Sequence, residues 1–171
     1  MAMDEAELVS RLKKDEEEAF SLLFESHRLQ VFRTAYLILG SKEQAEDVMQ
    51  EAFYRLWTHR KSLKEGPVLP WLLKVTTNAC FSLWRRKREF PLEEELASQN
   101  STMDPEEAVA YKEILAELNR LPKKQRAVLT LRLLLGYSEE ETARILNSPE
   151  GTIRSNLFKA KENLRRKLNE R

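Results

Sequence analysis

The sequence SEEETARILNSPEGTIRSNLFK, residues 138–159, contains two short amphipathic segments separated by a turn signal. Ser138 and Glu141 have the spacing of a capping box, in which two residues bind each other's backbone N–H groups at the start of a helix. Asn147 tolerates the backbone conformation of a turn, and Pro149 suits the first turn of the helix that follows. A short helix, a tight turn and a basic helix predict a helix-turn-helix.

The second predicted helix carries basic and polar residues near its start. An α-helix fits the major groove of DNA, where Arg, Asn and Ser side chains reach base edges and Lys reaches phosphates. The candidate DNA-binding residues are Arg154, Ser155, Asn156, Phe158 and Lys159. The apolar residues expected to pack the two helices together are Ala143, Ile145, Leu146, Ile153 and Leu157. The alternative is a helical hairpin whose basic face is only solvated.

Two more helices are predicted upstream of this motif. KQRAVLTLRLLL ends at Gly136, and AVAYKEILAELNRL opens after Pro105 and ends before Pro122. The preceding stretch, PLEEELASQNSTMD at residues 91–104, has few large apolar residues and no basic ones. It buries too little surface to offset the entropy of ordering, so we predict a flexible linker there.

Three helices are predicted before the linker. The first runs through AFSLLFESHRLQVFRTAYLIL, residues 19–39, with Asp15 as its N-cap and Gly40 in a left-handed conformation at its end. Ser41 has the position of an N-cap for the second helix. The third, PWLLKVTTNACFSLWRRKRE, begins with Pro70, whose missing N–H has no partner in a first turn anyway.

The chain is therefore predicted to be all-α, with two small helical domains at residues 1–90 and 107–171 joined by a flexible acidic linker at 91–106. Residues 91–110 carry six acidic and no basic residues, whereas residues 111–171 carry fourteen basic against eight acidic ones. This asymmetry indicates a polyanion-binding module beside a solvated spacer. We expect no shared hydrophobic core, because the linker lacks the apolar periodicity that would bind the two domains together.

Composition also predicts that several kinds of site are absent. One cysteine, Cys80, cannot form an intramolecular disulfide or a multi-thiolate zinc site, and it fits a reducing, cytoplasmic compartment. The acidic N-terminus does not resemble a signal peptide, and the most apolar stretch is short and contains Arg132, so no membrane insertion is expected. We expect no cofactor, metal or small-molecule substrate, because no nucleophile motif, metal cluster or phosphate loop is evident.

The end of the third predicted helix combines aromatic and cationic residues. SLWRRKREF places four cations after Trp84, on a helix that also carries Trp71 and Asn78. Aromatic rings stack on exposed bases while nearby cations hold phosphates. Two alternatives stay open, because the helix dipole favours cations at a C-terminus and Trp is often a core residue.

The segment QAEDVMQEAFYRLW places Asp47, Glu51 and Arg55 along one side of the second predicted helix. Such a face is commonly solvated and holds weak helical ion pairs. A carboxylate pair also suggests acid–base chemistry, but no companion nucleophile supports an enzyme.

These segments resemble, in order and over nearly the whole chain, the sigma-70 family of sigma factors, in its small extracytoplasmic-function class. AEDVMQEAFYRLW resembles the helix that binds core RNA polymerase, PWLLKVTTNACFSLWRRKRE the helix that reads the −10 element, and the helix-turn-helix region the −35-reading domain. The resemblance implies a non-enzymatic protein that binds core RNA polymerase and promoter DNA under the control of an anti-sigma factor. The alternative is a helix-turn-helix regulator that never joins polymerase.

The resemblance also implies roles for individual residues. The residues implied to contact polymerase are Asp47, Gln50, Glu51, Phe53 and Trp57. Binding of the −10 element falls on Trp71, Asn78, Trp84, Arg85 and Arg86, with Asn78 at a flipped-out base. Binding of the −35 element falls on the candidates of the helix-turn-helix, Arg154, Ser155, Asn156, Phe158 and Lys159. Ser82, Pro149 and Asn156 depart from the residues common in the family, so a relative's promoter sequence does not carry over.

Overall fold

Helices form the whole of the secondary structure that the computed structural model describes, which comprises residues 4–89 and 105–170. The helices of the first half are α1 (Glu5–Lys13), α2 (Glu17–Leu39), α3 (Lys42–Thr58) and α4 (Leu69–Glu89), with a 3-10 turn at Arg60–Ser62. Those of the second half are α5 (Pro105–Asn119), α6 (Lys123–Leu129), α7 (Glu139–Leu146) and α8 (Glu150–Asn169). The all-α prediction is confirmed, and most of the predicted linker lies outside the described residues.

Helix α1 was not predicted, and the assignment of Asp15 as an N-cap is wrong. The side chain of Asp4 caps α1 by accepting from the Ala6 N–H. Asp15 instead lies in the turn before α2 at a φ of 69°, a conformation that Asp tolerates better than most residues. Its carboxylate lies 2.6 Å from Arg60 Nε and 2.8 Å from Lys61 Nζ. Asp15 therefore links the turn between α1 and α2 to the 3-10 turn after α3.

The first half is a bundle in which α1, α2, α3 and α4 share one buried cluster and α2, α3 and α4 share a second. Its fully buried residues include Leu12 from α1, Leu23 from α2, Leu56 from α3 and Leu72 from α4. Gly40 ends α2 at a φ of 74°, as predicted. Burial of four leucines from four helices contributes roughly 1.5–3 kcal/mol each, which explains why α1 is held against the bundle.

The helix-turn-helix forms as predicted. Ser138 and Glu141 make both bonds of the capping box at the start of α7. Asn147 ends α7 in a left-handed conformation, with a φ of 48°. One difference lies upstream, because α6 widens into a π-helical segment at Thr130–Leu134 before Gly136 turns the chain at a φ of 75°.

The two halves share hydrophobic contacts, which contradicts the expectation of separate cores. Two clusters cross the boundary: one joins α2 to α5, α6 and α8, and the other joins α4 to α7 and the π-helical segment. Ile145, expected to pack α7 against α8, packs instead with Leu73 of α4 and Leu131. A helix as short as α7 buries two sides here, and sequence periodicity does not say which partner covers each side.

Candidate functional site

The start of α8 presents most of the predicted DNA-binding residues on one exposed surface. Arg154 and Phe158 lie one turn apart, and Ser155 and Lys159 form the neighbouring row. All four are exposed, and Phe158 is 67% exposed, which is unusual for a large aromatic side chain. This surface combines two cations, a hydroxyl and an uncovered aromatic ring, a combination suited to a polyanion with apolar edges.

Arg154 is already paired within the chain. Its Nη2 lies 2.7 Å from Glu139 Oε1, and its Nε lies 3.3 Å from Glu139 Oε2. The pairing holds the pKa of the Glu139 carboxyl below its usual range and raises the pKa of Arg154. A base or phosphate that binds this guanidinium must therefore compete with the first residue of α7.

Asn156 lies on a different side of α8 from the other candidates. It is half-buried, and its Nδ2 donates to the Thr152 carbonyl oxygen at 3.1 Å. It lines a cleft of about 900 Å³ together with Asn78, Trp84 and Arg85 of α4. The structure thus brings one candidate of the helix-turn-helix beside three candidates of α4, a juxtaposition that the sequence did not predict.

The candidates on α4 are divided between the cleft and the core. Trp71 is half-buried and packs against the core of the first half, with its ring 6.4 Å from that of His59. Trp84 is also half-buried, but its face meets the ammonium of Lys123 at 5.0 Å. Asn78, Arg85 and Arg86 are exposed. Trp71 therefore stands apart from a cluster that Asn78, Trp84 and Arg85 form at the cleft.

Helix α3 separates its predicted surface residues into two groups. Asp47, Gln50 and Glu51 are exposed on one side of the helix. Phe53 is 2% exposed, and its ring lies 4.8 Å from that of Phe24 in the core. A buried ring cannot contact a partner without rearrangement, so Phe53 positions α3 rather than presenting a surface.

Trp57, like Phe53, packs against an aromatic ring of α2. Its half-buried ring lies 5.6 Å from that of Phe20, and the guanidinium of Arg60 covers it at 4.1 Å. Two exposed neighbours were left out of the predicted site: Tyr54, which is 66% exposed, and Arg55, which pairs with Glu51 at 2.7 Å. Both lie one turn beyond Asp47, Gln50 or Glu51, so the helical spacing alone could have added them.

The sequence reasoning also missed Arg126, a cation buried between the two halves. Its side chain is 5% exposed, and its Nε donates to the Leu37 carbonyl oxygen at 3.0 Å. Burial lowers its pKa to about 10, so it remains charged at neutral pH. The position of Arg126 within the apolar sequence of α6 could have indicated its role, because a charged side chain on the buried side of a helix needs a hydrogen-bonding or charged partner.

Metal-binding side chains are not clustered in residues 4–89 and 105–170: no three of His, Cys, Asp or Glu are placed to hold an ion. Cys80 is buried in the first half, and burial raises the pKa of its thiol to about 12. Among the described helices, none is long and apolar enough to cross a membrane.

Two protein-family models match the chain: Sigma-70 region 2 over residues 23–90 and Sigma-70 region 4 over residues 111–164. The sequence is 33% identical over 168 residues to the ECF RNA polymerase sigma factor SigM of Mycobacterium tuberculosis, covering 96% of this chain and 84% of that protein. It is 29% identical to the ECF RNA polymerase sigma factor SigW of Bacillus subtilis, covering 94% of each.

Two solved structures are also similar to this chain. The sigma factor RpoE from Bartonella quintana, in complex with the anti-sigma factor NepR, matches with a TM-score of 0.66 and 25% identity, covering 91% of this chain and 98% of that one. CnrH in complex with the cytosolic domain of CnrY matches with a TM-score of 0.76 over 97% of both chains. That second match has 18% identity and concerns the fold alone.

Proposed function

The chain belongs to the sigma-70 family of RNA polymerase sigma factors, in its ECF class, and we propose on this basis that it binds core RNA polymerase and directs it to specific promoters. The observation that carries the proposal is the order of the two matched regions along one chain, each with an exposed surface of suitable chemistry. Polymerase supplies the catalysis, and this chain supplies binding and sequence preference.

The exposed side of α3 is the proposed contact with polymerase. Asp47, Gln50 and Glu51 project from it, and Ala45, Val48, Ala52 and Phe53 are buried behind it. A helix fixed in this way keeps its polar side chains at defined spacing, which lowers the entropy lost when a partner binds. Phe53 and Trp57 support the contact from within.

The α4 cluster is the proposed −10 site. Asn78 supplies a donor and an acceptor for a base edge, Trp84 offers a ring for stacking, and Arg85 supplies a charge for the backbone. Stacking on an aromatic ring is worth about 1–3 kcal/mol per base. These three residues line one cleft, so a single unpaired strand can meet all of them.

The exposed rows of α8 are the proposed −35 site. Arg154 is assigned to base edges and Lys159 to phosphate, because arginine binds guanine with two parallel hydrogen bonds and lysine acts as a point charge. The capping box and the left-handed Asn147 define the turn between α7 and α8, which supports α8 as the helix that would enter the groove.

An anti-sigma factor is the proposed regulator. RpoE, which is 25% identical over 91% of this chain, was solved in complex with the anti-sigma factor NepR. We propose that this chain is held inactive in a similar way, by a polypeptide that covers one or more of the three surfaces.

Run-off transcription tests the proposed function. Core polymerase with this chain should produce discrete transcripts from a promoter library, whereas core polymerase alone should not. Capture of core polymerase by the immobilised chain then separates a sigma factor from a regulator that never joins polymerase. Promoter binding without polymerase capture and without transcripts would favour the regulator.

A further inference from the structure

Helix α4 begins without a cap of its own. The residue before it is Val68, which has no polar side chain, and its first turn, residues 69–71, contains no acidic residue. The first N–H groups of a helix have no partner within the helix and carry partial positive charge, so they need acceptors from elsewhere. Trp71, the −10 candidate that stands apart from the α4 cluster, lies in this first turn.

Glu5 of α1 supplies an acceptor at this place. Its Oε1 accepts from the Val68 N–H at 2.8 Å, across 63 residues of sequence. The same oxygen lies 3.0 Å from His27 Nε2 of α2, and a carboxylate only accepts, so the imidazole donates. The carboxylate therefore lies beside the positive end of the α4 dipole, where a negative charge is favourable.

We infer that Glu5 is a positioning residue for the −10 site: α1 caps α4, fixes its first turn and thereby holds Trp71 for contact with an unpaired strand. This role rests on the proposed function, because the −10 site on α4 is part of it. The match to Sigma-70 region 2 covers residues 23–90, so α1 lies outside that match. A helix beyond the matched region therefore acts on the −10 site.

Glu5 is well fixed for this task. Asp4 caps α1, and the buried residues Leu8 and Leu12 hold the helix against the first core. His27, whose side chain is 13% exposed, restrains the carboxylate from the side of α2. A side chain held by a packed helix and a second partner has little freedom left to lose when it binds the Val68 N–H.

The loop before α4 is joined to α1 at its other end as well. The Lys61 ammonium donates to the Lys13 carbonyl oxygen and lies 2.8 Å from Asp15 Oδ1. Glu5 and Lys13 are the first and last residues of α1, about 12 Å apart at 1.5 Å per residue. The loop therefore runs along α1, with Lys61 near the C-terminal end of the helix and Val68 near its N-terminal end.

Apolar contacts connect the capped residue to Trp71. Val68 is 3% exposed and Leu63 is 6% exposed, and both belong to the buried cluster that contains Leu8 and Leu12 of α1. The half-buried Trp71 packs against the same cluster from α4. Since Val68 and Trp71 are three residues apart in one packed unit, release of the Val68 N–H lets the first turn of α4 fray and loosens the ring.

Hydrogen exchange at the Val68 amide, followed by NMR in the full-length chain, measures the cap. Exchange in Glu5→Ala should be roughly tenfold to a hundredfold faster than in the parent, because a charge-assisted hydrogen bond is lost. Glu5→Gln keeps an oxygen acceptor and should recover most of the protection. Glu7→Ala removes the other acidic residue from the first turn of α1, which is exposed, and is the matched control that should change nothing.

Strand binding by the chain loaded on core polymerase measures positioning. The probe is a fluorescent single-stranded oligonucleotide that carries the −10 sequence selected from the promoter library. Glu5→Ala should weaken its binding about fivefold, because a loosened ring stacks less well on a base. Glu5→Gln should restore most of the affinity. Capture of polymerase and binding of a −35 duplex should stay at the parent's level in both variants, because α3 and α8 do not depend on this cap.

A double-mutant cycle separates positioning from a general loss of structure. If Glu5 acts through Trp71, the effect of Glu5→Ala on strand affinity should fall below about twofold in a Trp71→Leu background, because coupled residues are not additive. In an Arg85→Ala background the full effect should remain, since Arg85 lies 14 residues farther along α4, about 21 Å from Trp71. Equal, additive losses in both backgrounds would contradict the role of Trp71.

Three results would overturn the inference. Exchange at Val68 that stays at the parent's rate in Glu5→Ala removes the cap, and faster exchange with unchanged strand affinity removes the positioning role. If Glu5→Ala does not fold, His27→Gln decides, because it removes only the second partner of the carboxylate; it should shift both readouts in the same direction by smaller factors, and no shift in either would be the third such result. A parent that neither captures polymerase nor binds the strand defeats the proposed function and the positioning role with it, whereas exchange still decides whether Glu5 caps α4.

Discussion

The guanidinium of Arg154 lies 2.7 Å from the carboxylate of Glu139, so the two helices of the helix-turn-helix are joined by an ion pair at the surface proposed to bind DNA. The arginine is 68% exposed and the glutamate 28%. Solvent screens a pair of this kind, so breaking it to form a contact with DNA costs little free energy.

The first prediction concerns the titration of Glu139. Hydrogen bonding by Arg154 lowers the carboxyl pKa, so the stabilisation from the pair is present above the ordinary Glu pKa and is lost as the pH falls through the folded-state value. NMR titration of the Glu139 carboxyl carbon should show this lower midpoint. In Arg154→Ala the midpoint should rise towards the ordinary range; equal midpoints in the two proteins would contradict the pairing in solution.

The second prediction is that Glu139→Gln strengthens DNA binding. The change frees Arg154 and removes a negative charge beside the proposed groove contact. Affinity for a −35 duplex should rise severalfold, because Arg154 no longer has to leave a partner in the chain. Fluorescence anisotropy measures the affinity. Glu162→Gln, which breaks an equivalent pair with Arg165 farther along α8, is the matched control and should have a much smaller effect.

The third prediction separates function from stability on α3. Replacing Asp47 and Gln50 with Ala should weaken binding to core polymerase but change the free energy of unfolding by less than about 0.5 kcal/mol, because both side chains are exposed. Capture of polymerase and urea denaturation provide the two readouts. Glu25→Ala removes an exposed acidic side chain from α2 and serves as the control. Loss of folding, or unchanged capture, would show that the interface lies elsewhere.

The fourth prediction distinguishes base reading from phosphate binding on α8. Arg154→Ala should cost about 1–3 kcal/mol on the preferred −35 site and flatten the preference at one base pair. Lys159→Ala should weaken all sequences alike and lower the salt slope by about one contact. Transcription from a library with a randomised −35 element compares them, and identical preferences would remove this helix from sequence reading.

The fifth prediction contrasts two neighbours on α3. Phe53 is 2% exposed and Tyr54 is 66% exposed. Phe53→Ala should lower the free energy of unfolding by about 3–5 kcal/mol, because it leaves a cavity among the rings of the first core. Tyr54→Ala should change it by about 0.5 kcal/mol or less. Thermal and chemical denaturation measure both changes, and similar losses in the two variants would contradict the orientation of α3.

Helix ends were the most predictable part of this fold, because their signals are local. Ser138, Gly40 and Asn147 each specify a terminus through a side-chain cap or a left-handed backbone, and the structure confirms all three. Helix α1 was missed because Asp15 resembled a cap for the longer helix behind it. The two cations that pair with Asp15 are Arg60 and Lys61, which lie 45 and 46 residues away in the sequence, beyond any local pattern.

The contact between the halves was not predictable from periodicity. The pattern of α7 shows that Ile145 is buried, but not that Leu73 of α4 covers it. The same limit applies to Asn156, whose spacing placed it with Arg154 although it lies on the side of α8 that faces the cleft. Spacing along α3 predicted the exposed residues Asp47, Gln50 and Glu51, but it also included the buried Phe53. Surfaces made by two distant segments depend on long-range packing.

The contacts between the two halves also matter during synthesis, because the first half is made before the second. Leu73 leaves the ribosome about 70 residues ahead of Ile145, an interval of roughly 4–14 s at ordinary rates of synthesis. During that interval the first half has its own core but lacks the cover for Leu37 and Leu73. A nascent or truncated first half therefore displays two apolar patches that the finished chain hides.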